Sequence, residues 1–243
     1  MNSFTKLAIF SSAILFFACN ATKVSMKSVS RKLKKSPVFA HNHTGFSLYD
    51  IAENKTLLEH NANRYFIPAS NTKLFTYYAS LKTLGDSIIA FHYQISGDSL
   101  ILWGTGDPSF LNPDLPNSKA FDFLKNSPQK LYFSNDNFTG SYFGNGWSWD
   151  DYNDYYAAEI SPFPIHGNIV RFTGNKENTL KITPNFFTEK TYNWSKSNTF
   201  SVQRDLANNF FSYPAGKAIK PNYEQDVPFK TGVEVTTALL LTR

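Results

Sequence analysis

The sequence predicts an α+β fold, and three observations carry that expectation. Residues 44–63 read as a strand, a turn and a second strand. From Ser70 to Leu84 the apolar residues fall at helical spacing. From about residue 93 onward, short strand-like runs follow one another between turns, with little helical pattern. The chain has 243 residues, enough for one large domain or two small ones. Its 42% apolar and 16% aromatic content supports a sizeable core and argues against wholesale disorder. The net charge of +5 is mild and does not by itself imply a nucleic-acid partner.

The N-terminus reads as a targeting segment. Lys6 is followed by "LAIFSSAILFFAC", an apolar stretch that ends at Cys19. Its apolar centre of about 12 residues falls short of the ~20 that a spanning helix needs. A positive start, a short apolar centre and a small residue before the cut form an export signal. Cys19 is the chain's one cysteine, so no disulfide can form within the chain. A lone thiol at the end of such a segment points to a lipid-accepting cysteine and a lipoprotein-type signal peptide over residues 1–19. The alternative is an ordinary signal with an incidental cysteine. Residues 20–37 are polar and basic, crowd Lys23, Lys27, Arg31, Lys32, Lys34 and Lys35 together, and end at Pro37. They are expected as a flexible tether, usually a solvated one, although such a run could also touch an anionic membrane surface.

The body follows in order. Phe46 and Leu48 start one strand, "AENK" is turn-like, and Thr56-Leu57-Leu58 starts the partner strand. The helix signal places Leu74, Tyr77, Tyr78, Leu81 and Leu84 at steps of three and four. Gly85 then stands as a natural stop. Gly104 and Gly106 suggest a phosphate loop only superficially. No helix pattern follows them, and Asp107-Pro108 is a turn dipeptide. "KAFDFLK" (119–125) is a short helix candidate, and further short strands run through "HGNIVRFTG", "TLKITPNFF" and "TFSVQRD". Near the end, Thr231 and Glu234 stand at capping-box spacing before "VTTALLL", the start of a last helix.

"IPASNTKLFT" (67–76) holds the chemistry. Ser70 and Lys73 are three apart and project from one side of a helix. A serine hydroxyl is a weak nucleophile that needs a base. A lysine in a buried, cation-poor spot can serve as that base. The positive field of the helix N-terminus favours the developing alkoxide. Four residues alone are weak, because Ser70 as a helix cap and Lys73 as a solvated side chain explain them more simply.

The flanks add to this. "RYFIPASNTKLFT" resembles the start of the active-site helix of penicillin-recognising serine peptidases. "GFSLYDIAENKTLLEHNANRYFIPASNTKLFTYYASLKTLG", "LILWGTGDPSF" and "GNGWSWDDYNDYYAAEISPF" together resemble the D-Ala-D-Ala carboxypeptidase/endopeptidase family. This is peptidase family S13, the class C low-molecular-mass penicillin-binding proteins, matched over about residues 38–243. The resemblance implies an exported hydrolase of peptidoglycan stem peptides, with Ser70 as nucleophile, Lys73 as base, and β-lactams acylating Ser70. It implies a split peptidase domain with its first segment over 38–92, a strand-rich insert over 93–225, and a helix leading back over 226–243. It also implies that Asp151 and Tyr156 meet the second amino group of the diamino-acid side chain, which is reasonable carboxylate–ammonium chemistry. The competing view makes Trp147, Trp149, Tyr155 and Tyr156 core and Asp151 a turn residue.

Two elements of the family site are expected elsewhere. No Ser-x-Asn or Tyr-x-Asn occurs in the chain. Lys230-Thr231-Gly232 matches the family's Lys-Thr-Gly by type, but its place before the last helix marks it as a decoy. The chain is therefore expected to be the N-terminal part only, with an exposed apolar face on the serine helix and unpaired hairpin edges. Loss of one oxyanion donor costs about a hundredfold to a thousandfold in rate, so poor catalysis by this chain alone is expected. Two other functions compete: a non-catalytic peptidoglycan-binding lipoprotein, and another Ser-Lys acyl hydrolase of β-lactamase or esterase type. No metal, cofactor or nucleic acid is expected. His41-Asn42-His43 lacks a third ligand nearby, and His166 lacks a Ser-His-Asp context. The expected location is periplasmic, with the membrane reached only through a lipid anchor.

Overall fold

The computed structural model describes residues 25–116, 119–195 and 198–241. The signal segment and Cys19 lie outside these residues. The chain divides into two compact units between Ala79 and Ser80.

The first unit opens with helix α1, Met26–Lys35, and the short helix α2, Pro37–His41. The basic run expected as a flexible tether is therefore helical over most of its described length. Met26, Val29 and Leu33 recur on one side of α1 and are half-buried, and α1 rests against the second strand of the hairpin that follows. Lys32, Lys34 and Lys35 sit in the last turn, where cations complement the exposed carbonyls. Strands β1 (Phe46–Asp50) and β2 (Lys55–His60) form that hairpin. They pair antiparallel, with Phe46 opposite His60 and a bulge between Leu48 and Tyr49. The turn is held by the Glu53 N–H donating to Asp50 Oδ1 at 3.0 Å. Among the described residues this sheet has these two strands and no third.

A single 3-10 turn, Ala69–Asn71, leads into helix α3, Thr72–Leu84. Gly85 ends it at φ 76°, donating its N–H to the Leu81 carbonyl at 3.1 Å. The helical spacing was legible in the sequence, yet no residue of α3 is buried. Leu74 is 69% exposed and Phe75 75%. An apolar stripe of this kind is one that helices ordinarily bury.

Among the described residues the second unit carries three three-stranded sheets. Strands β3 (Phe91–Ser96) and β4 (Ser99–Gly104) form a hairpin; helix α4 (Lys119–Lys125) then crosses over to β5 (Lys130–Ser134), parallel to β4. Strands β6 (Ile169–Gly174) and β7 (Leu180–Thr183) pair with each other, and β11 (Glu224–Pro228) adds to the other edge of β6. The third sheet orders β8 (Thr191–Ser195), β10 (Phe211–Pro214) and β9 (Gln203–Arg204). Helix α5, Val233–Leu241, closes the unit. The core is aromatic: Phe187 lies 5.5 Å from Phe211 and 5.3 Å from Phe229, and Phe211 lies 5.4 Å from Phe172, ring centre to ring centre. These rings tie the β6 and β10 sheets together at offset geometries that favour aromatic pairs.

The Gly104–Pro108 segment is structural. A Cβ on Gly104 would stand 2.1 Å from the Pro162 carbonyl oxygen, so no side chain fits. Gly106 takes φ 86° and donates its N–H to that same carbonyl at 2.6 Å. Asp107 accepts from the Ser109 N–H and hydroxyl, both at 2.9 Å. A second fixed point is Arg171 on β6. Its guanidinium forks to Asp226 at 2.8 Å and to Asp114 at 2.8 and 2.9 Å, which holds Asp114 below the usual carboxylate range.

Candidate active site

Ser70 sits in the 3-10 turn at the start of α3, and Lys73 lies in the first turn of the helix. Lys73 Nζ donates to Ser70 Oγ at 3.0 Å, so the two side chains meet on one helix face. Ala69, immediately before the serine, takes φ 44°, a left-handed conformation that costs a non-glycine residue about 1–2 kcal/mol. Strained backbone of this kind next to a candidate nucleophile fixes the direction in which the serine leaves the turn. Both Ser70 and Lys73 are exposed. The burial that a lysine base calls for is therefore not provided by the described residues.

Asp151 and Tyr156 belong to the second unit. Asp151 lies in the 3-10 helix Trp149–Asn153 and Tyr156 in the 3-10 helix Tyr155–Ala157. The structure brings Asp154 into the same cluster: Tyr156 Oη donates to Asp154 Oδ2 at 3.0 Å. That hydrogen bond, with partial desolvation and the negative charge of Asp151 and Asp154, pushes the Tyr156 phenol up to about 12. The sequence signal for Asp154 was its place between the other two, but its role needed the fold of the turn. Trp149 is 77% exposed and Tyr155 68%, so these rings are not core.

The turn is pinned to β9. Asn153 Oδ1 accepts the Arg204 N–H at 2.7 Å and Asn153 Nδ2 donates to the Val202 carbonyl at 3.2 Å. Tyr152 Oη donates to the Arg204 carbonyl at 3.2 Å, and the Arg204 guanidinium lies 5.1 Å from the Tyr152 ring centre. Arg204 is 4% exposed and donates to the carbonyls of Pro228 and Asp205, each at 2.8 Å. Burial draws its pKa down, and the nearby charge of Glu159 opposes that shift. Sequence reasoning did not single out Arg204 or Glu159.

Glu159 also accounts for Lys230-Thr231-Gly232. Buried at 6% exposure, it accepts the Thr231 N–H at 2.6 Å and the Thr231 hydroxyl at 2.7 Å through one carboxylate oxygen. Its other oxygen lies 3.7 Å from Lys230 Nζ. Both backbone groups of Lys230 are taken by the Asn209 side-chain amide, at 2.7 and 2.9 Å. The Thr231–Glu234 capping box expected from spacing does not form. Helix α5 begins at Val233, and its first bond, from the Thr236 N–H, goes to the Gly232 carbonyl at 2.9 Å. The Thr231 hydroxyl is drawn away to Glu159 instead.

Other candidates fall into structural roles. His43 stacks on Phe66 with ring centres 4.3 Å apart, and its Nε2 lies 3.1 Å from the Tyr65 carbonyl oxygen. Burial holds the His166 imidazole below its ordinary pKa. Among the described residues no group of three potential ligands could hold a metal, and no helix is long and apolar enough to cross a membrane.

A family model described as D-Ala-D-Ala carboxypeptidase 3 (S13) family matches residues 25–203. The fold is similar to the crystal structure of penicillin binding protein 4 from Haemophilus influenzae, with a TM-score of 0.55 and 19% sequence identity. That match covers 90% of this chain and 53% of the other, so the chain spans about half the length of its structural neighbour. None of the curated proteins matches it.

Proposed function

Because the chain belongs to the D-Ala-D-Ala carboxypeptidase 3 (S13) family, we propose that it carries the nucleophile segment of a serine-type D-Ala-D-Ala carboxypeptidase/endopeptidase. The observation that carries this reading is the 3.0 Å contact between Lys73 Nζ and Ser70 Oγ at the start of α3. With its amine neutral, Lys73 takes the Ser70 proton as Oγ bonds to the carbonyl carbon between two D-alanines. The tetrahedral intermediate collapses, the C–N bond breaks, and the proton passes to the leaving amine. Water then releases the acyl group from Ser70 by the same base. A β-lactam follows the first half of this path and stays on Ser70 as an ester.

Asp151 and Tyr156, with Asp154 beside them, are the groups we assign to the cationic end of a peptidoglycan stem peptide. Two carboxylates in one turn suit an ammonium group, and the exposed rings of Trp149 and Tyr155 flank them. Cys19 is the proposed lipid acceptor of an exported, periplasmic lipoprotein. Residues 38–92 are assigned to the peptidase domain, 93–225 to the insert and 226–243 to the returning helix.

Catalysis by this chain is proposed to need elements supplied from outside its own residues. Three observations support that: the sequence holds no Ser-x-Asn, the Lys-Thr-Gly hydroxyl is bound to Glu159, and the apolar stripe of α3 is exposed. Incubating the chain with a fluorescent penicillin tests both parts. Slow, substoichiometric labelling that maps to Ser70 and disappears in Ser70→Ala is expected. Labelling that survives in Ser70→Ala would remove Ser70 as the nucleophile, and fast stoichiometric labelling would remove the need for outside elements. A second reading, a non-catalytic peptidoglycan-binding protein, draws on the exposed Trp149 and Tyr155. Sedimentation of the Ser70→Ala variant with purified peptidoglycan tests it separately.

A further inference from the structure

Helix α1 has no part in the acyl-transfer reading, yet its surface is strongly organised. At about 100° per residue, Met26, Val29 and Leu33 fall within an arc of about 60°. Lys27, Arg31, Lys32, Lys34 and Lys35 centre on the opposite side. All five cations are exposed, α1 carries no acidic residue, and none of the five forms an ion pair among the described residues. Five like charges within ten residues repel one another, so an anionic partner relieves a real cost.

Beside this face runs a groove of about 490 Å³ between α1 and β2. Met26, Leu57 and Leu58 make its apolar part, and Lys27, Arg31, Lys34 and Lys35 make its cationic part. No carboxylate lines it. A fully hydrophilic polyanion would satisfy the cations and leave the leucines against water. An anionic amphiphile satisfies both, because its headgroup meets the ammonium and guanidinium groups while its apolar portion meets the leucines. We propose that the cationic face of α1 and the groove beside it form a docking surface for an anionic phospholipid bilayer. This contact is distinct from a lipid on Cys19 and adds to it. Six residues separate Cys19 from Met26, a reach of at most about 25 Å, so an anchor at Cys19 would hold α1 near the charged headgroups.

The test uses the full chain with and without Lys27→Gln, Arg31→Gln and Lys34→Gln together. Glutamine keeps the helix propensity of α1, and circular dichroism of both proteins verifies that they fold alike. Partition is measured by co-sedimentation with phosphatidylglycerol vesicles and with phosphatidylcholine vesicles. Because both proteins keep the same N-terminal apolar segment, that segment cancels in the comparison. Each basic side chain near an anionic surface contributes about fivefold, so the triple variant should bind phosphatidylglycerol on the order of a hundredfold more weakly. Binding to phosphatidylcholine should be equal for the two proteins, and exchanging Arg31→Lys should change little. Raising the salt tenfold should bring the unsubstituted chain close to the triple variant's weaker partition onto phosphatidylglycerol. Equal partition of both proteins onto phosphatidylglycerol overturns the proposal. So does a preference for polyphosphate over phosphatidylglycerol vesicles at matched charge, which would assign the surface to a soluble polyanion.

Discussion

Glu159 is the point at which the structure makes its sharpest quantitative demand. Substituting Glu159→Ala removes the acceptor for two donors of Thr231, at 2.6 and 2.7 Å, and a negative charge that favours the buried Arg204 cation. Hydrogen bonds to a charged group contribute roughly 1.5–3 kcal/mol each. Thr231 is only half-buried and can recover some water, so the lower end applies to it. Loss of the Glu159 charge also gives Arg204 less electrostatic support against its burial, which adds modestly to the cost. The expected destabilisation is therefore about 3–4 kcal/mol for Glu159→Ala, and about 1–2 kcal/mol for Glu159→Gln, which keeps a carbonyl acceptor. For a unit of this size that is on the order of a 10 °C fall in melting temperature for the alanine variant. Thr231→Val removes the hydroxyl and keeps the N–H, for about 1.5 kcal/mol. The double substitution should then cost less than the sum of the singles by a similar amount, since both remove the same bond. Urea unfolding followed by tryptophan fluorescence and by far-ultraviolet circular dichroism gives all four values. A Glu159→Ala cost under about 1 kcal/mol, or strict additivity with Thr231→Val, would refute the assignment of Lys230-Thr231-Gly232 to the scaffold.

Three further outcomes are expected. His166 is kept neutral by burial, so its folded pKa lies below the ordinary 6.5 and the stability it contributes is full above that value and lost as pH falls through the folded pKa. The urea midpoint should drop between pH 7 and pH 5, and His166→Asn, which tolerates the φ of 54° there, should flatten that dependence. The Tyr156 phenol should titrate near pH 12 by ¹³C-tyrosine NMR and return toward 10 in Asp154→Asn; an unchanged value would place the aspartate away from the hydroxyl. Gly104→Ala forces a Cβ to within 2.1 Å of the Pro162 oxygen, so β4 or the Pro162 segment must move, at about 3 kcal/mol or more in unfolding experiments.

Helix α3 and its glycine stop were readable in the chain because apolar spacing and a φ-positive glycine are local properties, set within a few residues. The same holds for the hairpin, for the turn at Asp107-Pro108, and for Ser70 and Lys73, whose meeting needs only one turn of helix. Helix α1 was not readable as structure. Its lysines look like a solvated tail until β2 offers Leu57 and Leu58 as a surface for its neighbour. The capping box that spacing suggests at Thr231 fails to form for a related reason. Spacing identified two groups able to bond each other, but Glu159, 72 residues away in the chain, offered a buried carboxylate with two donors to satisfy. Arg204 and Asp154 gained their roles the same way, through partners that only the packed fold brings within hydrogen-bond reach. Periodicity and turn chemistry are encoded over a few residues and so were determined by the sequence itself. Which buried polar group pairs with which was decided by the tertiary structure, because burial makes an unmet donor or acceptor costly and the fold chooses who is near enough to meet it.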